Sequence, residues 1–183
     1  MKENRIHIIN SRPGPFVPVV GPVAASDLFW RWGDDNRQPE MLLRLAQRSS
    51  IHRRILSDKA DYITGKGFVC SPEEQALAAV VELANGSGET LRRVVRKVVY
   101  DKLLFGSAFL EVVTDRSSSF LALFHQDASR CRLSRDGRSA LLHHDWNRFS
   151  LREAKKLPLY PDFSPARDGT MRSLIHLKTY EPM

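Results

Sequence analysis

The sequence predicts an α+β fold, with helices in the first half and a mostly antiparallel sheet in the second. Two observations carry this. Up to Phe105 the apolar residues recur at three-, four- and seven-residue spacings, the period of a helix face, and from Ser107 the period falls to two, that of a half-buried strand. Between the short alternating runs stand Asp115-Arg116-Ser117-Ser118-Ser119 and Ser134-Arg135-Asp136-Gly137, the second carrying an Asp-Gly hairpin signal.

Residues 1–28 hold Pro13, Pro15, Pro18 and Pro22 among spaced valines. Each proline fixes φ and removes a donor, so this is an extended arm, either packed on its own domain or a neighbour, or a partly disordered leader. Trp32-Gly33-Asp34-Asp35-Asn36 reads as a polar turn, and Pro39 suits the first turn of the helix that follows, with Met41, Leu42 and Leu45 as its apolar positions. Ser49-Ser50 breaks that helix, and Ser50 is the expected cap of the next, over 50–64. Its wheel groups Ile51, Ile55, Tyr62 and Ile63 on the expected inner side and Arg53, Arg54, Asp58 and Asp61 on the other. His52 and Lys59 fall within the apolar arc, and Lys59 reads as a stem that carries its charge to the rim. Gly65 ends the helix, and Phe68-Val69-Cys70 is the expected strand after it.

Ser71-Pro72-Glu73-Glu74 has the cap, proline and glutamate of a helix start, and that helix should run to about Ala84, followed by a loop at Asn85-Gly86-Ser87-Gly88. Glu89-Thr90 opens the clearest amphipathic helix. Leu91, Val94, Val95, Val98 and Val99 line one face, Arg92, Arg93, Arg96 and Lys97 the opposite one, and Gly106 stops it. The strand candidates are 107–113, 120–125, 129–133 and 138–146. Alternation places Arg130 and Arg132 on one strand face and Cys131 and Leu133 on the other. Residues 147–172 read as an irregular excursion with a short helix near 150–156, and 173–183 as a terminal strand. The main domain is therefore 29–146.

Across 183 residues the chain carries a net charge of +7 and a pI near 9.7, so an acidic partner such as nucleic acid is compatible with it. Cys70 and Cys131 match no metal or redox spacing, which suits reduced thiols in a cytoplasmic setting. No apolar run approaches the ~18 residues of a membrane span, so no membrane partner is expected.

Catalytic constellations are equally sparse. Gly65-Lys66-Gly67 lacks the preceding glycine and the following Ser or Thr of a phosphate loop. His143-His144 would point to opposite faces of a strand, away from a shared ion. Asp34-Asp35, between glycine and asparagine, fits a turn better than a nuclease carboxylate pair. The expectation is no enzyme, no cofactor and no metal.

The residues Trp32, Gly33, Asp34, Asp35, Asn36 and Pro39, then Lys59, Ala60, Tyr62, Ile63, Gly65 and Gly67, form W-G-D-D-N-x-x-P followed by K-A-x-Y-I-x-G-x-G. With D-K-L-L-F-G-S-A-F-L-E-V-V at 101–113, which contains Gly106, and F-H-Q-D-A-S-R-C-R at 124–132, they resemble the N-terminal region of bacteriophage portal proteins. A shorter likeness returns at 173–182, through Tyr180-Glu181-Pro182. The resemblance implies the outer, wing-like α+β region of a larger protein. That protein would be a ring of about twelve subunits, in the virion at one capsid vertex and in the bacterial host cytoplasm during assembly. It implies a structural role in packaging and ejecting double-stranded DNA. The implied partners are other copies of itself, the terminase large subunit, capsid and head–tail adaptor proteins, and DNA held without sequence reading. It also implies that tunnel-lining and terminase-facing parts lie beyond this chain. Arg92, Arg93, Arg96, Lys97, Arg130 and Arg132 are the candidate DNA or subunit contacts. The alternatives are a small basic nucleic-acid-binding module and a non-functional prophage remnant.

Overall fold

Residues 28–71 and 75–178 are described in the computed structural model, which has the expected α+β architecture. The N-terminal arm, the Pro72-Glu73-Glu74 helix start and the Tyr180-Glu181-Pro182 end lie outside the described residues. Four helices come first: α1 (Gln38–Arg48), α2 (Ser50–Thr64), α3 (Gln75–Glu82) and α4 (Leu91–Phe105). The strands are β1 (Ser107–Thr114), β2 (Phe120–Gln126), β3 (Cys131–Leu133), β4 (Ser139–Leu142), β5 (Lys155–Pro158), β6 (Ser164–Pro165) and β7 (Met171–Lys178).

The strands form two sheets. One has the order β2-β1-β7-β6 and the other β3-β4-β5, with every paired neighbour antiparallel. The last strand lies in the middle of the first sheet, with Leu110 opposite Ile175 and Glu111 opposite Leu174. A parallel bridge between Leu159 and Leu174 ties the second sheet's exit to it. The core lies where the two sheets meet the end of α4: Phe105, Phe109, Cys131, Ala140, Leu157 and Leu174, closed by Trp32. Trp32 meets Phe105 edge-on at 5.9 Å, a geometry that suits the opposed charge of ring face and ring edge.

Local chemistry explains the boundaries. Thr90 caps α4 by accepting from Arg93 N, and Gly106 ends it in the left-handed conformation at φ 73. Ser49, not Ser50, caps α2, accepting from His52 N. No side chain caps α1 at Arg37; Asp35 Oδ1 accepts from Arg37 N one turn earlier, and Pro39 is buried in the first turn.

Several expectations change. The excursion after residue 146 supplies β5 and β6, and its Leu157 is a core residue; the expected helix near 150–156 is a turn leading into β5. Pro158 and Pro165 are tolerated because each stands at the end of its strand. Phe68-Val69-Cys70 forms no strand, and Val69 is 99% exposed. In α1 the inner face is Pro39, Leu42, Leu43 and Ala46, while Met41 and Leu45 point outward. In α2 the expected inner face is reversed. Leu56, Ala60 and Thr64 pack inward, and Ile51, Ile55, Tyr62 and Ile63 face out, Ile51 at 74% and Tyr62 at 89% exposure.

Glu111, buried in β1, takes Lys155 Nζ and Arg172 Nη1 on one carboxylate oxygen at 2.9 Å each and Gln126 Nε2 on the other. Lys155 belongs to β5, so this carboxylate joins the two sheets. Glu111→Ala should therefore lower stability by about 2 kcal/mol, read as an earlier urea midpoint. An unchanged midpoint would mean that apolar contact alone joins the sheets.

Candidate functional site

The motif turn is built around one buried cation. Gly33 adopts φ 75 and Asn36 φ 61, backbone conformations that favour Gly and Asn. Asn36 turns its side chain inward, where Oδ1 accepts from Trp32 N at 3.1 Å and from Arg132 Nε at 2.6 Å. Arg132 Nη2 donates to Asn36 O at 3.1 Å, and Nη1 donates to Ser129 O at 2.9 Å and Cys131 O at 2.8 Å. The guanidinium carbon lies 5.4 Å from the Trp32 ring centroid and 4.7 Å from that of Trp146. Burial pushes the Arg132 pKa down to about 9, so the group is still charged at neutral pH.

Arg132 is therefore a structural cation and not a surface contact, which corrects the sequence expectation. Arg130 does not share its face: it ends a short 3-10 turn, 128–130, is exposed, and lies 3.8 Å from Asp127. The turn before β3 breaks the strict alternation on which the expected shared face depended.

The basic face of α4 is also largely committed. Arg96 binds both oxygens of Asp61 on α2, at 2.5 and 2.8 Å, and Ser57 Oγ at 2.8 Å. Lys97 meets Glu89 at 2.5 Å, Arg93 meets the same carboxylate at 3.6 Å, and Arg92 Nε donates to Gly65 O at 2.9 Å. Arg96 and Lys97 hold the Asp61 and Glu89 carboxyls below their ordinary range, hydrogen bonding being the largest cause in each. Gly65 and Gly67 are used here: both have positive φ, and a Cβ on Gly67 would come within 3.3 Å of Arg92 Cδ. Of the four predicted cations, Arg92 and Arg93 keep exposed side chains.

Free positive charge also lies elsewhere. Arg44, Arg48 and Arg53, like Arg116, Arg138, Arg152 and Arg167, are exposed and have no carboxylate partner among the described residues. Arg37, Arg44 and Arg48 line a depression of about 340 Å³ with Asp35, Glu40, Met41 and Leu45. Arg53 and Arg54 line a second, of about 570 Å³, with Ser50, Ser57 and Tyr100. Spacing could have found these residues: no acid stands three or four positions from Arg48 or Arg53.

Three polar pairs invite a chemical reading. His143 and His144 do not project to opposite faces, because β4 ends at Leu142; their rings stack at 4.7 Å. With Glu153 they bring possible ligand atoms within 4.8 Å of one another. However, His143 Nδ1 accepts from Asp145 N at 3.1 Å, while Nε2 accepts from Ser150 N at 3.5 Å and lies 3.7 Å from Glu153 Oε2. Metal binding at Nε2 would set an Nδ1–H against the Asp145 N–H, so the cluster suits hydrogen bonding better than zinc. Ser107 Oγ lies 3.1 Å from His176 Nε2, but Ser107 is sealed from solvent and has no path to a substrate. His125 Nε2 lies 2.8 Å from Asp101 Oδ2, which also takes Ala128 N at 2.9 Å and so holds the β2–β3 connection to α4.

No protein-family model matches the chain, and no curated protein matches it. Among the described residues no helix is long and apolar enough to cross a membrane.

Two outcomes follow. Arg132→Met leaves four buried oxygens without their donors in a dry site and should cost about 3–5 kcal/mol. Arg92→Ala should stay within about 0.5 kcal/mol of the parent in the same urea titration. The second concerns pH. Burial, then Lys178 and Lys102, push His176 from 6.5 down to about 4. The folded pKa is below the unfolded one, so the stabilisation is intact above about pH 6.5 and is lost as pH falls toward 4, by about 3 kcal/mol. Thermal unfolding of His176→Gln across that window should show a flatter pH dependence than the parent.

Proposed function

We propose that this chain is the wing-like N-terminal portion of a phage or prophage portal protein. Such a protein is a non-enzymatic ring component at the capsid vertex, assembled in the host cytoplasm and retained in the virion. The observation that carries the reading is the order of the motifs: the W-G-D-D-N-x-x-P turn, the K-A-x-Y-I-x-G-x-G helix end, the helix stop at Gly106 and the Phe124–Arg132 stretch. The placement of Trp32 and Asn36 around Arg132, with Pro39 buried in the first turn of α1, supports a structural use of that turn. In this role the chain meets other copies of itself, capsid and head–tail adaptor proteins, and the terminase large subunit, which supplies the ATP hydrolysis. Double-stranded DNA is met by charge, without base reading. Arg44, Arg48 and Arg53, with Arg93 and Arg130, are among the exposed cations available for such contacts; Arg96, Lys97 and Arg132 serve the fold.

Native mass spectrometry of the protein from its full reading frame tests this. A closed ring of about a dozen copies is expected, and a monomer or dimer overturns the portal reading. The uncompensated Arg44, Arg48 and Arg53 favour one second reading, a basic nucleic-acid-binding module. A monomer whose DNA affinity falls steeply with salt would support it. Replacing those three arginines by Gln should then flatten the log–log slope by about 0.9 for each phosphate that is no longer neutralised.

A further inference from the structure

The outward face of α2 is apolar in part and exposed. Ile51, Ile55 and Tyr62 project away from the packed Leu56–Ala60–Thr64 face, with Lys59 next to them; Ile63 is exposed at the edge of the packed face, and Phe68 and Val69 extend the apolar exposure past the helix end. Nothing among the described residues packs over this face. Residues 13–26 hold Phe16, Val17, Val19, Val20 and Val23 and no charged side chain. Their prolines limit the usual alternative, addition to a sheet edge. Pro13 and Pro15 remove donors at odd positions and Pro18 and Pro22 at even ones, so no one register pairs the whole segment, and only the odd positions from Val17 onward keep all their donors. A segment that is apolar, extended and poor in donors gains from side-chain burial on an apolar surface.

The reach suffices. Leu28 is fixed at the β3–β4 turn, where its carbonyl accepts from Arg135 N and Ser134 Oγ, and Trp30 N donates to Leu133 O. Upstream of that anchor, fourteen extended residues span about 40 Å at ~3.1 Å each. A globule of this length has a radius of gyration of about 16 Å, and the 15 residues of α2 extend about 22 Å.

We propose that residues 13–26 dock along the outward face of α2 of the same chain, laying their valines and Phe16 over Ile51, Ile55 and Tyr62. The test is paramagnetic relaxation in the full chain carrying Val20→Cys and Cys70→Ser with a nitroxide on the new thiol. Cys131 is fully buried, and burial raises its thiol pKa, so it does not compete for the label. The expected result is loss of amide signal over Ile51, Ile55, Tyr62 and Ile63, unchanged on dilution and absent when the nitroxide is reduced. Uniform broadening, loss centred on a sheet edge, or no loss overturns the proposal. Loss seen only when spin-labelled chains are mixed with isotope-labelled, spin-free ones also overturns it, because the segment would then cover a neighbouring copy. As a second measurement, replacing Phe16, Val17, Val19, Val20 and Val23 by Ser should shift the same α2 resonances; unshifted resonances count against docking.

Discussion

The fold depends on how Arg132 is kept charged in a dry place. Among the described residues no carboxylate forms an ion pair with it; its donors meet the Asn36 side chain and the main-chain oxygens of Asn36, Ser129 and Cys131, between two indole faces. Burying a cation carries a large desolvation cost, which here is offset by neutral oxygens aimed at the guanidinium fork and by the ring quadrupoles. The arrangement requires three segments distant in sequence to be in place together: the turn at 32–36, β3, and the turn at Trp146. That requirement gives the short β3 its register, and it explains why Gly33 and Asn36, both at positive φ, precede α1.

A second set of charges makes α2 and α4 one unit. Arg96 reaches Asp61 and Ser57, Arg92 reaches the carbonyl of Gly65, and the small inward residues Ala60 and Thr64 sit on the packed side of α2. Arg96 and the Arg92 Nε thus line a helix–helix joint, while Lys97 and Arg93 turn to Glu89. The net charge of +7 is real, and its solvent-directed share is spread over the molecule: Arg44, Arg48 and Arg53 on α1 and α2, and Arg116, Arg138, Arg152 and Arg167 in the sheet half, are all exposed.

Much of this order was legible in the sequence. The change of period at Gly106, the Asp-Gly turn and the Thr90 start of α4 are local signals, and each stands where the sequence places it. The misses share a different cause: their partners are remote. Arg96 has no acid within a turn of its own helix, yet Asp61 stands 35 residues away. Arg132 looks like one of two cations on a strand, until Asn36, 96 residues earlier, claims it. β5 and β6 lie among prolines and mixed polarity, and their pairing with β4 and β7 outweighs a weak local pattern. Of the candidate site, the residue types were legible, but which cations are spent on the fold was not.

The reversal of α2 marks what periodicity cannot say. An amphipathic wheel reports that a helix has an apolar side; it does not report which contact that side makes. Here Leu56, Ala60 and Thr64 seat the helix on α4 with the help of the Arg96–Asp61 ion pair and the Arg92–Gly65 hydrogen bond, which leaves larger apolar residues for the opposite side. A helix with apolar residues on two opposed sides is suited to burial between two layers. The described residues supply one of those layers. Exposed isoleucines of this number are costly to leave in water, so the second layer is as much a part of the design of this helix as the first.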